Sequence, residues 1–144
     1  MRIGRGGNMT KLFAATGAVL IMMSIAAAWL VVAGRYLSLD AVKKYIRDDE
    51  KLVKAHVDYI MMGSVLLIFY ALGMHFPSFI VLLACLGALT DPSLFVFLSL
   101  KPDVNKKLGG SFSVISTISF LSATVGIGGA ACLILVEVLM SSLR

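Results

Sequence analysis

The sequence predicts an all-α integral membrane protein, a four-helix bundle with an amphipathic interfacial helix between the first and second spans. Three observations support this. Apolar residues make up 59% of the 144 residues, and only 15% are charged. In a typical soluble domain, roughly a quarter of the residues are charged. The apolar residues lie in four long runs without helical or strand alternation, as in membrane spans. So little polar sequence lies outside these runs that we predict a single transmembrane domain over residues 1–144.

Each apolar run predicts one span. The first, residues 12–33, contains no charged residue. As a helix it reaches about 33 Å, enough to cross the hydrocarbon core, and it is longer than the apolar part of a signal peptide. The second and third, residues 57–74 and 78–100, are joined by a short link that favours an antiparallel hairpin. The fourth, residues 112–140, is long enough to tilt or protrude.

The segment between the first two runs, residues 34–55, is rich in charge but carries apolar residues at helical spacing. These are Leu39, Val42 and Ile46, and Ser38 precedes them as a residue type that favours helix N-caps. We therefore predict a helix that lies at the membrane interface. Most Lys and Arg residues fall in residues 34–55 and 101–111, so the positive-inside rule puts both segments in the cytoplasm and both termini outside.

The net charge of +5 does not indicate nucleic-acid binding, because the basic residues flank apolar runs where lipid headgroups lie. Cys85 and Cys132 both lie inside apolar runs and form no CxxC motif, so they predict neither a zinc site nor a disulfide framework. No sequence signature of a soluble enzyme is present. The expected partners are the lipid bilayer and further copies of the chain.

His56 stands at the mouth of the second span, where an ionisable group is costly and is therefore a functional candidate. Tyr59 and Gly63 share its helix face, and Gly63 lets either a flat apolar ligand or another helix approach closely. An interfacial histidine bonded to water or a carbonyl is the structural alternative. His75 follows nineteen residues later, about 28 Å along a helix, so the two histidines of one chain cannot share a metal ion.

Asp91 lies near the middle of the third run, where a charged carboxylate costs at least about 2.5 kcal/mol. The following Pro92 lacks an N–H and leaves the Ala88 carbonyl without its helical partner. We predict a kink at Thr90-Asp91-Pro92 with spare hydrogen-bonding capacity. Asp91 either caps this break in its protonated form or lines a pocket or proton path.

Small residues recur along the fourth run, where they predict a helix-contact surface of the kind found in lipid. The stripe that we predict consists of Ser122, Gly126 and Ala130.

The pair Ala55-His56 and the glycine seven residues after the histidine, Gly63, resemble a pattern in small four-span bacterial membrane proteins that include styrene oxide isomerase and hydroxylaminobenzene mutase. Gly87, the polar stretch at Asp91 and the aromatic residues after it add to the resemblance, which covers about half of the chain. It implies a multi-pass protein of a bacterial-type inner membrane. It also implies a homotrimer with haem b between subunits and His56 as the iron ligand.

The resemblance further implies that ferric haem acts as a Lewis acid on a small apolar epoxide and isomerises it to a carbonyl compound. The residues that we expect around the haem are His56, Gly63, Lys54, Met62 and Phe95. Met62 stands where the isomerase has asparagine, and Phe95 stands where it has tyrosine. With both polar partners lost, a haem site can persist without that reaction.

We take Asp91 and Tyr59 as candidate catalytic residues, from the depth of Asp91 in its span and the shared helix face of Tyr59 and His56. Two other functions stay open. The chain is either a non-catalytic membrane subunit that binds a partner, or an oligomer that conducts protons or small solutes with the help of Asp91.

Overall fold

The computed structural model describes residues 9–37, 39–101 and 110–143, and within them the chain forms five helices. These are α1 (Thr10–Arg35), α2 (Asp40–Tyr45), α3 (Asp49–Ala71), α4 (Ser78–Leu100) and α5 (Gly110–Ser142). All but α2 are long and apolar enough to cross a membrane. The predictions of an all-helical chain and of four helices that could span a membrane are confirmed for these described residues.

The observed helix differs most from the predicted span at α3. It begins at Asp49, whereas the apolar run begins near residue 57. Asp48 explains the early start. Its side chain accepts a hydrogen bond from the backbone N–H of Lys51 at 3.2 Å and pairs with the Lys51 ammonium at 2.8 Å. These bonds hold the pKa of Asp48 below its usual value and cap the helix. Charged residues of the link thus become the first turns of α3.

The link between α3 and α4 depends on Gly73, which has a φ of 66°. This left-handed conformation is the usual end of a helix, and glycine adopts it without steric cost. The Gly73 N–H donates to the carbonyl of Tyr70 at 3.1 Å. The chain then turns back through Pro77 into α4, so α3 and α4 form the predicted antiparallel hairpin.

Helix α2 has only six residues, and its N-cap position is Leu39, which offers no side-chain hydrogen bond. The predicted cap, Ser38, lies outside the described residues. Val42 and Ile46 are partly buried, whereas the other described residues of 39–47 are exposed. The short helix is therefore two-faced, and its place at the membrane interface stays a prediction.

The helices pack in chain order: α1 on α3, α3 on α4 and α4 on α5, with a smaller contact between α1 and α4. Because α5 packs mainly against α4, it leaves a groove beside α3. One end of the bundle is closed by three rings, Phe13, Phe69 and Phe76, with centroids 5.5–5.8 Å apart. Phe13 is fully buried there.

Helices α4 and α5 meet at small residues. A methyl group on Gly87 would overlap the backbone of Ala123, and one on Gly126 would overlap the backbone of Ala84. The buried stripe on α5 is Ser119, Ala123, Gly126 and Ala130. Gly126 and Ala130 thus lie in the helix contact as predicted, but Ser122 is only partly buried and Ala123 takes its place. Spacing of four and then three residues keeps these side chains on one face.

Two glycines on α5 allow a direct test of this contact. We expect Gly126→Ala to destabilise the protein by about 1–3 kcal/mol or more, because the backbone of Ala84 leaves no room for the methyl group. Gly128→Ala is the matched control, since its methyl group would meet nothing within 4 Å. It should be neutral or gain up to about 1 kcal/mol of helix propensity. Heat denaturation in mild detergent, followed by circular dichroism, measures both. Equal effects of the two variants would contradict the packing.

Candidate functional site

His56 lies on the face of α3 that contacts α1, where it meets Ser24. Its Nδ1 atom is 2.9 Å from the backbone carbonyl oxygen of Ser24 and 2.8 Å from the Ser24 hydroxyl oxygen. The Ser24 hydroxyl donates in turn to the backbone carbonyl of His56 at 3.1 Å. Ser24 is 1% exposed, whereas the imidazole is half-buried. Two neighbouring spans are therefore joined by reciprocal hydrogen bonds at this one pair of residues.

The tautomer of His56 follows from its partners. A backbone carbonyl can only accept a hydrogen bond, so Nδ1 carries the proton that it donates to Ser24. The Ser24 hydroxyl group donates its own proton to the His56 carbonyl, so it can only accept from Nδ1. The hydrogen bonds of the ring within the described residues all involve Nδ1, and none of them uses Nε2. In this tautomer Nε2 presents a free lone pair, which is the form of imidazole that binds metals.

Gly63 lies two turns further along the same face of α3, and it is buried against Gly17 of α1. A methyl group on Gly63 would stand 3.0 Å from the Gly17 carbonyl oxygen, and one on Gly17 would stand 2.9 Å from the Gly63 carbonyl oxygen. Close helix packing therefore accounts for Gly63. The glycine pair brings α1 and α3 near enough for the Ser24–His56 bonds to form.

Tyr59 faces α4 instead of α1 and is 1% exposed. Its hydroxyl is 2.8 Å from the Ser93 hydroxyl, which donates to the Leu89 carbonyl at 2.6 Å. Because the Ser93 proton is already used, the Tyr59 hydroxyl must be the donor to Ser93. A chain of two hydrogen bonds thus runs from α3 to the backbone of α4, and the phenol points at a protein group within the helix contact.

The proline of the third span does not end its helix, since α4 continues from Ser78 to Leu100 with Pro92 inside it. Hydroxyl groups on either side of the proline bond to backbone carbonyls. Thr90 donates to Leu86 at 2.8 Å, and its oxygen lies 2.7 Å from the Ser119 hydroxyl on α5. The Thr90 hydroxyl group therefore connects α4 with α5 beside the proline.

Asp91 opens onto the groove that α5 leaves beside α3. The groove has a volume of about 220 Å³ and is apolar apart from Asp91 and Thr124. Its lining also includes Met62, Phe120, Ala123, Ile127 and Gly128. Asp58 lies one turn before Met62 on α3, and its carboxyl group interacts electrostatically with that of Asp91 and with the ammonium of Lys54. The carboxyl group of Asp91 and the thioether of Met62 therefore meet in one apolar groove, while Asp58 lies outside its lining.

The residues singled out from the sequence lie in different places. Asp91 and Met62 come together in the groove, whereas His56 and Gly63 face α1 and Tyr59 is in the α3–α4 contact. Phe95 is half-buried and packs against the core, and Lys54 is exposed. Positions 56 and 58 are two residues apart and so project from nearly opposite sides of α3. A single chain does not bring the histidine and the carboxyl groups to one site.

Ser24, Asp58 and Ser93 were not predicted from the sequence. Ser24 is one of several small polar residues within an apolar run, and nothing in its spacing marks it as the partner of His56. The sequence does mark Asp58, because an ionisable residue close to the mouth of a span is costly in lipid.

No family model, curated protein or solved structure matches the chain. Within the described residues there is also no group of three or more His, Cys, Asp or Glu side chains that could hold a metal ion.

The hydroxyl chain at Tyr59 predicts an asymmetry between two variants. Tyr59→Phe removes the donor but leaves Ser93 bonded to Leu89, so we expect a loss of about 1 kcal/mol in stability. Ser93→Ala leaves the buried Tyr59 hydroxyl without its acceptor and should cost about 1–3 kcal/mol. Thermal unfolding in detergent compares the two. A larger cost for Tyr59→Phe would contradict the assigned direction of the hydrogen bond.

Proposed function

We propose that this multi-pass membrane protein binds haem b, and that Nε2 of His56 would hold the iron. The observation that carries the proposal is the hydrogen bond from Nδ1 of His56 to the Ser24 carbonyl. Histidines that bind metals almost always donate their other ring N–H to a carbonyl, a carboxylate or water, which fixes the tautomer and the ring orientation. A haem iron needs only one such side chain, because the porphyrin supplies the equatorial ligands.

The chain's own residues support this ligand in two ways. Ser24 orients the ring and keeps the proton on Nδ1. The Gly17–Gly63 contact holds α1 against α3, so that the ring is fixed before a ligand arrives. Lys54 was expected near the haem, but it stands two residues before His56 and so projects from nearly the opposite side of α3, where its ammonium group is close to the Asp58 carboxyl group. Lys51, the other lysine in this region, is already paired with Asp48.

The proposed reaction is isomerisation of a small apolar epoxide or a related substrate. A bound ferric haem would supply the Lewis acid for it. Asp91 and Met62 lie away from His56 in one chain, so their participation would require a second copy whose groove faces the histidine. We therefore include a homo-oligomer, a trimer by resemblance, in the proposal. The Tyr59 hydroxyl group would have to break its hydrogen bond to Ser93 before it could act on a substrate. Gly63 serves helix packing.

We propose the inner membrane of a bacterial-type cell as the location, with the segments 34–55 and 101–111 on the cytoplasmic side. The support is the distribution of Lys and Arg residues, most of which fall in these two segments. An even number of spans would then put both ends of the chain on the outer side.

The haem assignment is tested with His56→Ala and, as the matched control, His75→Ala. His75 is exposed in the link at the other end of α3 and has no part in the proposed site. After expression with added haem, we expect the parent and His75→Ala to show a Soret absorption band and His56→Ala to lose it. A parent protein without a Soret band would contradict haem binding. A His56→Ala variant that keeps the band would contradict the ligand assignment.

A second candidate function is proton conduction along the groove between α3, α4 and α5. It is favoured by the interaction between the carboxyl groups of Asp58 and Asp91 beside an apolar groove. Carboxyl groups that face a cavity within a membrane protein are typical of proton relays. Thr124 adds a hydroxyl oxygen to the lining, although its proton is bonded to the Phe120 carbonyl.

Asp91→Asn tests this second candidate, because the amide keeps the size of the side chain but cannot release a proton. Protein reconstituted into vesicles with an internal pH dye should lose proton flux to the level of protein-free vesicles. Asp40→Asn makes the same chemical change on exposed α2 and should conduct like the parent. If Asp91→Asn conducts like the parent, the groove is not a proton path.

A further inference from the structure

The groove beside α3 contains one carboxyl group whose hydrogen-bonding capacity is unused. Asp91 lines the groove and is half-buried. Within the part of the chain that the structure describes, its side chain has neither a hydrogen bond nor a salt bridge. The other polar side chain of the lining, Thr124, donates its proton to the Phe120 carbonyl at 2.8 Å. Asp91 is therefore the group of this groove that is free to bind a ligand.

The charges around the groove favour a cation. Asp58 lies close to Asp91, and its carboxyl group interacts with the ammonium group of Lys54, which offsets its charge. No positive group among the described residues acts on Asp91 in the same way. Helix α5 contributes no charged side chain to the described lining. One carboxylate is thus left without a counter-charge in apolar surroundings, where an opposite charge lowers its cost.

The remaining lining suits the apolar part of a ligand. Met62 of α3 and Ile127 of α5 present aliphatic surface, and Phe120 presents its ring. The Phe120 side chain is 64% exposed and so is not used up by packing within the chain. The face of an aromatic ring attracts cations, and the thioether of methionine makes favourable contacts with aromatic groups. An organic cation with an aromatic ring would therefore contact both side chains.

The size of the groove limits the ligand. Its volume of about 220 Å³ is below the roughly 300–1,000 Å³ of sites for drug-sized molecules. Gly128 keeps the α5 side open, because a methyl group added there would meet nothing within 4 Å. The space is thus suited to one ring or short chain that carries a single ammonium group.

We propose that this groove binds a small lipophilic ammonium ion, with its N–H groups on the Asp91 carboxylate and its apolar part against Met62 and Phe120. An ammonium group donates short, charge-assisted hydrogen bonds to a carboxylate. A simple inorganic cation would leave the apolar lining uncovered, and a neutral apolar molecule would leave the carboxylate without a counter-charge. The inference rests on the groove alone and on neither haem binding nor proton conduction.

Three related probes test the chemistry of the ligand. Phenethylamine carries the ring and the ammonium group, phenethyl alcohol lacks the charge, and methylamine lacks the ring. The parent protein is placed in nanodiscs of neutral lipid and dialysed at neutral pH, where an alkyl amine is protonated like a lysine side chain. Radiolabelled phenethylamine is counted after subtraction of empty nanodiscs. We expect saturable binding, and competition by the alcohol or by methylamine only at about tenfold higher concentration or more.

Two pairs of variants test the place of the site. Asp91→Asn keeps the size of the side chain and should weaken phenethylamine binding about tenfold or more, as expected for a hydrogen bond to a charged group. Asp40→Asn makes the same change on exposed α2 and should bind like the parent. Gly128→Leu fills the groove and should abolish binding. Gly110→Leu, at an equally open position of α5 outside the lining, should not.

The proposal is overturned if the parent binds no phenethylamine, if the alcohol or methylamine competes as well as phenethylamine itself, or if Asp91→Asn binds the amine like the parent. Equal binding by Gly128→Leu and Gly110→Leu would place the amine outside the groove. These measurements need neither haem nor a pH gradient across the membrane. Their failure is therefore distinguishable from a missing Soret band and from a lack of proton flux.

Discussion

The close approach of helix backbones at small residues is the constraint on which the rest of this structure depends. In lipid, apolar side chains gain little by leaving their surroundings, so helices associate through packing and through hydrogen bonds between them. Gly17 and Gly63 bring α1 to α3, and Gly87 with Gly126 bring α4 to α5. The hydrogen bonds that join Ser24 with His56 and Ser119 with Thr90 form where the backbones of the spans are already close.

This packing also divides the polar groups into separate sites. Helix α3 contacts α1 on one side and α4 on another, so residues a few positions apart on α3 face different neighbours. His56 turns to α1, Tyr59 turns to α4, and Asp58 and Met62 lie towards the groove that α5 leaves open. A ligand at His56 and a substrate at Asp91 would therefore meet only across an interface between two copies. The oligomeric state thus decides whether these residues form one functional site.

The hydroxyl groups within the spans have a shared structural task. Ser93 and Thr90 bond to carbonyls on either side of Pro92, and each also bonds to a neighbouring helix. Ser and Thr hydroxyl groups inside a helix commonly bond to a carbonyl one turn back, and here this satisfies them within the bundle. The polar residues next to Asp91, Thr90 and Ser93, therefore serve the contacts of α4 with α5 and α3. The carboxyl group of Asp91 instead faces the groove beside α5.

The sequence by itself determined the class of protein and the number of spans, because long apolar runs have one stable state in a bilayer. It also located the polar residues that are costly in lipid, His56 and Asp91. Only the tertiary structure decided their partners. Ser24 is 32 positions from His56, and Tyr59 is 34 positions from Ser93, so no local pattern links them. The start of α3 at Asp49 comes from a local cap, Asp48, which apolar runs do not reveal, whereas the place of Ala123 in the α5 stripe depends on the contact with α4.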